Sequence, residues 1–204
     1  MKLKEALSII HDDTEAADYL SRTPARARRT TKGELETCVR LGWLLYVTGE
    51  PEAAGQLIEP LTAVSFENNY DHWTWIEYAL VLQVQLSAGA ADEEKVRQHA
   101  ISAVEQAVQT GEESIVQVKQ KVHGRFLRGE TLHPENIEKA VQDKDDIREA
   151  NYRLIHLMEL SKLAVLGGSA EYPAEQAARE AAEQQARIRQ IAEQHGRAEL
   201  DPFK

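Results

Sequence analysis

Apolar residues recur at spacings of three and four along almost the whole chain, and each such stretch starts at a proline or cap residue or stops at a glycine. That periodicity dictates α-helices and leaves little room for a sheet, whose strands need a period of two. Residues 34–48 place Leu35, Cys38, Val39, Gly42, Leu45 and Tyr46 on one stripe, with Thr31 and Glu34 spaced as a capping box and Gly49 as the stop. Pro51 suits a first helical position, where its missing N–H costs nothing, and Ala54, Leu57, Ile58 and Leu61 form the stripe that follows. So short a turn predicts two antiparallel helices.

The pattern continues. Residues 71–88 are apolar nearly all round, which predicts a helix that is central or that keeps a second face for a partner. Leu82, Val84 and Leu86 alternate, but within that longer helical run. Asp92 is placed to cap a helix over 93–109, with Val96, Ala100, Ala103, Val104 and Ala107 inward. A shorter amphipathic helix over 114–127 runs through Ile115, Val118, Val122 and Phe126. Pro134 opens a long pattern, Ile137, Val141, Ile147, Leu154, Met158 and Val165, with a bend expected at the charged run Asp143–Asp146. Gly167 and Gly168 end it, and Pro173 begins an Ala-rich helix to about His195 whose small inner residues predict close but weak docking. At the other end, Leu3, Leu7 and Ile10 predict an amphipathic N-terminal helix. The expectation is one all-α domain over 1–204, about eight helices stacked as antiparallel hairpins. A basic loop over 22–33 and an Ala-rich C-terminal helix and tail over 173–204 complete it.

Composition narrows the function. Thirty-four acids against 24 Lys and Arg leave a net charge of -10, and phosphate-bearing partners repel such a chain, so neither nucleic acid nor an anionic membrane is the expected partner. No run approaches the ~20 apolar residues of a membrane helix, and the first twenty residues lack a secretory apolar core, so a cytoplasmic location is expected. Cys38 is the single cysteine and excludes an internal disulfide. It sits mid-stripe, as a buried structural thiol does. The seven histidines form no HExxH motif, and Glu130-Thr-Leu-His133 is the one Glu-x-x-His, beside Pro134 in a loop. His156 lies among Leu154, Ile155, Leu157 and Met158, as a half-buried, satisfied histidine does. There is no phosphate-binding Gly loop and no Gly-x-Ser-x-Gly elbow. No metal, cofactor or catalytic constellation is expected.

The segment 38–61 resembles a tetratricopeptide repeat. Leu41-Gly42, Leu45, Gly49-Glu50, Ala54, Ile58 and Leu61 fall in that family's register, although Cys38 stands where an aromatic is common. The resemblance implies stacked helical hairpins and the binding of another protein or peptide; the alternative is a helical bundle that uses Gly and Ala for close packing.

Charge is unevenly spread. Between Leu41 and Glu94 there is no Lys or Arg, and nine acids carry almost the whole net charge of the chain. Phe66, Tyr70, Trp73, Trp75 and Tyr78 fall in the same stretch. Trp73 and Trp75 point about 200° apart on a helix, so one enters the core and the other approaches the surface. Aromatics rimmed by one sign of charge describe a binding surface for a basic protein. The residues expected to carry it are Glu50, Glu52, Glu59, Glu67, Tyr70, Asp71, Trp73, Trp75 and Glu77. The competing reading is a solvated acidic face over an aromatic core. A small acidic helical protein with such a face is similar in kind to bacterial immunity proteins, which occlude a basic toxin. A tetratricopeptide-like adaptor is the second possibility, and an enzyme without a recognisable motif the third.

Overall fold

The computed structural model describes residues 1–13, 17 and 30–200. Among them are nine α-helices: α1 Leu3–Asp12, α2 Thr31–Val47, α3 Pro51–Thr62, α4 Tyr70–Leu86, α5 Glu93–Gln109, α6 Glu113–Leu127, α7 Pro134–Gln142, α8 Asp146–Val165 and α9 Ala174–His195. A 3-10 turn, Arg197–Leu200, follows. The described residues contain no strand, only an isolated bridge between Gly168 and Pro173. The fold is an all-α array of packed helical hairpins. Most of the expected basic loop lies outside the described residues.

Helix α4 is the axis. It packs on α2, α3, α5 and α8, which explains an apolar surface on every side. The Trp43 indole, itself fully buried, donates to the Tyr78 carbonyl at 3.0 Å and ties α2 to α4. The α2–α3 hairpin follows from its turn chemistry: Gly49 adopts φ +92°, and Pro51 opens α3. A Cβ added at Gly42 would stand 2.7 Å from the Ile58 methyl Cγ2 and 3.9 Å from the Ala54 carbonyl, so these helices touch through a gap that only glycine leaves open.

Three boundaries differ from expectation. The cap of α2 is Thr30, one residue earlier than Thr31; its hydroxyl accepts from the Gly33 N–H at 3.0 Å. Asp92 makes no side-chain cap; instead Glu93 reaches back to the Gly89 N–H at 2.8 Å. The long pattern from Pro134 is two helices. Lys144 takes a left-handed φ of +55°, and Asp145 caps α8 by accepting from the Arg148 N–H at 3.0 Å. The break turns Val141 outward, away from the core side expected for it.

The most extensive interface joins α8 and α9. Small Ala177 and Ala181 let the helices approach, and Ile188 and Ile191 add bulk further along. Glu149, buried on α8, accepts from Arg187 at 2.8 and 3.0 Å and from Arg153 at 2.7 Å. Polar anchoring therefore makes the docking firmer than an alanine face alone would give. Arg187 and then Arg153 hold the Glu149 carboxyl below the usual carboxylate range, against its burial. A depressed folded value stabilises the fold above the unfolded value of roughly 4.3, and the contribution is lost as pH falls through the folded one. Glu149→Gln should remove about 1–2 kcal/mol at neutral pH, the arginines being partly solvated, and should flatten the acid limb of a denaturation series below about pH 4. An unaltered acid limb would show that the ion pairs contribute nothing.

Candidate functional site

The acidic stretch separates into three kinds of position. Glu52 and Glu59 lie seven residues apart on the outer face of α3; Glu67 and Asp71 flank the start of α4. All four are exposed. Among the described residues none of the four has a Lys, Arg or His within ion-pair distance. Glu50 is different: it pairs with Arg197 of the C-terminal 3-10 turn. Glu77 contradicts its expected surface role. It is 1% exposed and ion-pairs with Lys162, which is itself buried on α8. The cation that answers this carboxylate lies 85 residues along the chain, which is why local charge counting missed it.

The aromatics divide similarly. Trp73 is the inward tryptophan, 5% exposed, and meets Phe66 edge-on at 5.4 Å. It is core and is corrected as a surface anchor. Trp75 is half-buried and packs edge-on with Tyr78 at 5.9 Å; Tyr70 is also half-buried. Burial, and then the Glu77 carboxylate, push the Tyr70 hydroxyl up. Of the nine residues expected to form the binding surface, Glu52, Glu59, Glu67 and Asp71 present charge, with Tyr70 and Trp75 partly accessible beside them in sequence.

Beneath this surface lies a cation–aromatic layer that the sequence did not disclose. Lys162 Nζ sits 4.3 Å from the Phe126 ring centroid and 5.5 Å from that of Tyr78. Burial raises the Glu77 carboxyl; Lys162 opposes this, and so does the nearby Trp73 indole. That indole N–H and Glu77 Oε1 are not aligned for a full hydrogen bond. Burial and the Lys162 charge lower His123. A second buried lysine, Lys119 of α6, donates to the Ala107 carbonyl at 2.5 Å and to that of Thr110, and lies over the rings of Phe66 and Tyr70 at 5.1 and 5.6 Å. It satisfies two carbonyls that the end of α5 would otherwise leave unpaired.

One small cleft, about 170 Å³, gathers Thr131, His133, Tyr152, His156 and Glu159. His156 Nε2 accepts from the His133 backbone N–H at 3.1 Å, and Glu159 accepts from the Thr131 hydroxyl at 3.1 Å. Burial lowers the imidazole and raises the carboxyl. Both groups already hold a structural hydrogen bond that ties the 128–134 loop to α8. Cys38 is fully buried, and burial pushes its thiol up to about 12, so it is inert at neutral pH. Among the described residues no three His, Cys, Asp or Glu side chains are placed to hold a metal ion. No helix among them is long and apolar enough to cross a membrane.

The chain belongs to a family described as Family of unknown function (DUF6707), whose model matches residues 2–190. No curated protein and no solved structure matches it.

Proposed function

We propose that the protein is a non-catalytic protein-binding module for a basic partner, of the kind an immunity protein occludes when it neutralises a toxin. The observation that carries the reading is the set Glu52, Glu59, Glu67 and Asp71: four exposed carboxylates with no cation against them among the described residues. Uncompensated like charge destabilises the free protein slightly and is relieved by a partner that brings Lys and Arg. Tyr70 and Trp75, partly accessible, supply apolar contact area. A tetratricopeptide-like adaptor is the second reading, favoured by the close contact of Gly42 with Ile58 and Ala54 in the α2–α3 hairpin.

The two readings share a mode of binding and differ in the partner. Where a secreted basic nuclease is encoded beside this gene, it is the partner to test first. The protein should inhibit that nuclease at equimolar ratio, with an association rate that falls steeply with salt, because exposed charges are screened beyond about 8 Å at physiological ionic strength. Reversing Glu59, Glu67 and Asp71 to Lys should slow association by roughly tenfold and flatten the salt dependence, with dissociation little changed. Stopped-flow binding measures both. Complex formation indifferent to salt and to the three reversals would place the binding face elsewhere. Inhibition absent but binding retained would select the adaptor.

A further inference from the structure

The cleft beside α8 contains two polar side chains that are only half used. Tyr152, His156 and Glu159 follow one another at spacings of four and three, so they form one ridge of the helix, with about 5–6 Å between neighbouring Cβ atoms. Thr131 and His133 of the α6–α7 link line the cleft as well. The His133 backbone N–H donates to His156 Nε2 at 3.1 Å, which requires that nitrogen to be unprotonated. A neutral imidazole carries one ring proton, so Nδ1 is the donor. Glu159 accepts from the Thr131 hydroxyl through Oε2. Among the described residues neither His156 Nδ1 nor Glu159 Oε1 has a hydrogen-bond partner, and neither is sealed from solvent.

These two atoms define what the cleft can hold. A donor and an acceptor one helical turn apart match a group that offers an acceptor beside a donor. A carboxylate has no donor for Glu159, and an ammonium has no acceptor for His156; a carboxamide has both on one carbon. Burial works against charge on His156 and on Glu159, which also favours an uncharged ligand. Apolar area comes from Ile155 and from the Tyr152 ring, over which the Arg148 guanidinium lies at 5.5 Å. The volume, about 170 Å³, sets the size. A cavity of about 150 Å³ takes up benzene, so one six-membered ring with its amide group fits here, whereas a drug-sized ligand needs about 300 Å³ or more.

We propose that this cleft is a binding site for a small uncharged aromatic carboxamide. The amide N–H donates to Glu159 Oε1, the amide carbonyl accepts from His156 Nδ1, and the ring lies against Tyr152 and Ile155. The Thr131 hydroxyl and the His133 N–H each occupy one atom of a partner side chain and thereby fix which atom is left for the ligand. Both belong to the α6–α7 link, so an occupied cleft also fastens that link to α8. The site shares no residue with the acidic surface proposed to meet a basic partner, so neither proposal depends on the other.

Heteronuclear NMR of the full chain tests this with benzamide, benzoate and benzylamine, three probes of one ring size that differ in their polar group. Long-range nitrogen–proton spectra of the free protein should show His156 protonated at Nδ1. Benzamide should give saturable shifts at Thr131, His133 and residues 152–159, with a Kd of roughly 0.1–1 mM, the range of so small a ligand. Benzoate and benzylamine should bind about tenfold more weakly or worse, since each leaves one polar atom of the cleft unpaired. Glu159→Gln keeps an acceptor for the Thr131 hydroxyl and offers the ligand a donor in place of Oε1. It should therefore reverse the order, weakening benzamide about tenfold and admitting benzoate, whose oxygens accept from His156 and from the new amide. Backbone resonances unchanged away from the cleft confirm that the variant keeps its fold, and the three probes on the native chain decide the matter without it. No saturable shift with benzamide, equal binding of the three probes, an unchanged order in Glu159→Gln, or His156 protonated at Nε2 would each overturn the assignment.

Discussion

Glu77→Leu should destabilise the protein by about 3–5 kcal/mol, the largest effect expected of any single substitution here, because it strands the Lys162 ammonium in the core. What would remain around that charge is the ring of Phe126 at 4.3 Å and that of Tyr78 at 5.5 Å. A desolvated cation–π contact returns about 2 kcal/mol, less than the several kcal/mol that burying an ion costs. The converse change, Lys162→Met, should be milder and dependent on pH, because a stranded carboxyl escapes by taking up a proton. Burial already drives the Glu77 carboxyl upward, and Lys162 is the main force opposing it. With the lysine gone the folded value rises further. The variant should then lie close to the native protein below pH ~4, where the carboxyl is protonated in both states, and lose stability as pH rises toward the folded value. The double variant Glu77→Leu with Lys162→Met should recover most of the loss, since an apolar pair of similar volume often replaces a buried ion pair without cost. Urea denaturation of the four proteins at pH 5 and pH 8 measures the coupling. Additive single effects would mean that the two groups do not depend on each other.

The consequence extends to the surfaces. Lys162 reaches from α8 toward Glu77 of α4 and the Phe126 ring of α6. Phe126 and Lys119 are the side chains that α6 buries, and they are its hold on the body of the protein. Weakening the Glu77–Lys162 pair should thus loosen α6 before the α2–α3–α4 packing, a sequence that amide exchange on α6 would report.

The all-α architecture was legible because helical periodicity and Gly or Pro punctuation are local properties. Gly49, Pro51, Pro134 and Gly167 marked real boundaries for that reason. Side-chain destination was legible only where a stripe was uniform. In α6 the stripe pointed inward on the sequence, but in the structure only Phe126 of it is buried, while Ile115, Val118 and Val122 stand exposed. One buried lysine with two carbonyl acceptors outweighs the burial of two valines and an isoleucine, and those acceptors belong to another helix. Glu77 misled in the same way: nothing within the cation-free stretch reveals that Lys162 answers it. The exposure of Glu52, Glu59, Glu67 and Asp71 was readable, since each lies at a loop or on the polar side of an amphipathic helix. The tryptophans were half readable. Their angular separation required different fates, but Trp73 rather than Trp75 became core because Phe66 lies against its side of α4.

The α2–α3 contact allows the second large prediction. Gly42→Leu should cost about 3 kcal/mol, at the upper end of what overpacking usually causes. A Cβ alone already stands 2.7 Å from Ile58 Cγ2 and 3.3 Å from Leu82 Cδ2. Ile58 cannot swing away cheaply. It is 1% exposed, β-branched, and held in a helix where one χ1 rotamer dominates. Leu82 belongs to α4, so a larger residue at 42 presses on three helices at once. Gly42→Ala should show the first part of the cost, about 1 kcal/mol, since the new methyl group stands closer to Ile58 Cγ2 than side chains tolerate and something must shift. Ile58→Ala made together with Gly42→Leu should restore part of the loss, because the cavity left at 58 admits the new side chain. Gly55, on the same hairpin, supplies the control: its added Cβ would find Leu86 at an ordinary 3.8 Å, so Gly55→Ala should be neutral or slightly stabilising through helix propensity. Thermal or urea midpoints order these variants. Equal midpoints for Gly42→Leu and the native chain would mean that α2 and α3 do not meet at this residue. The gain from Gly55→Ala would then be the sole sign that glycine matters in the hairpin.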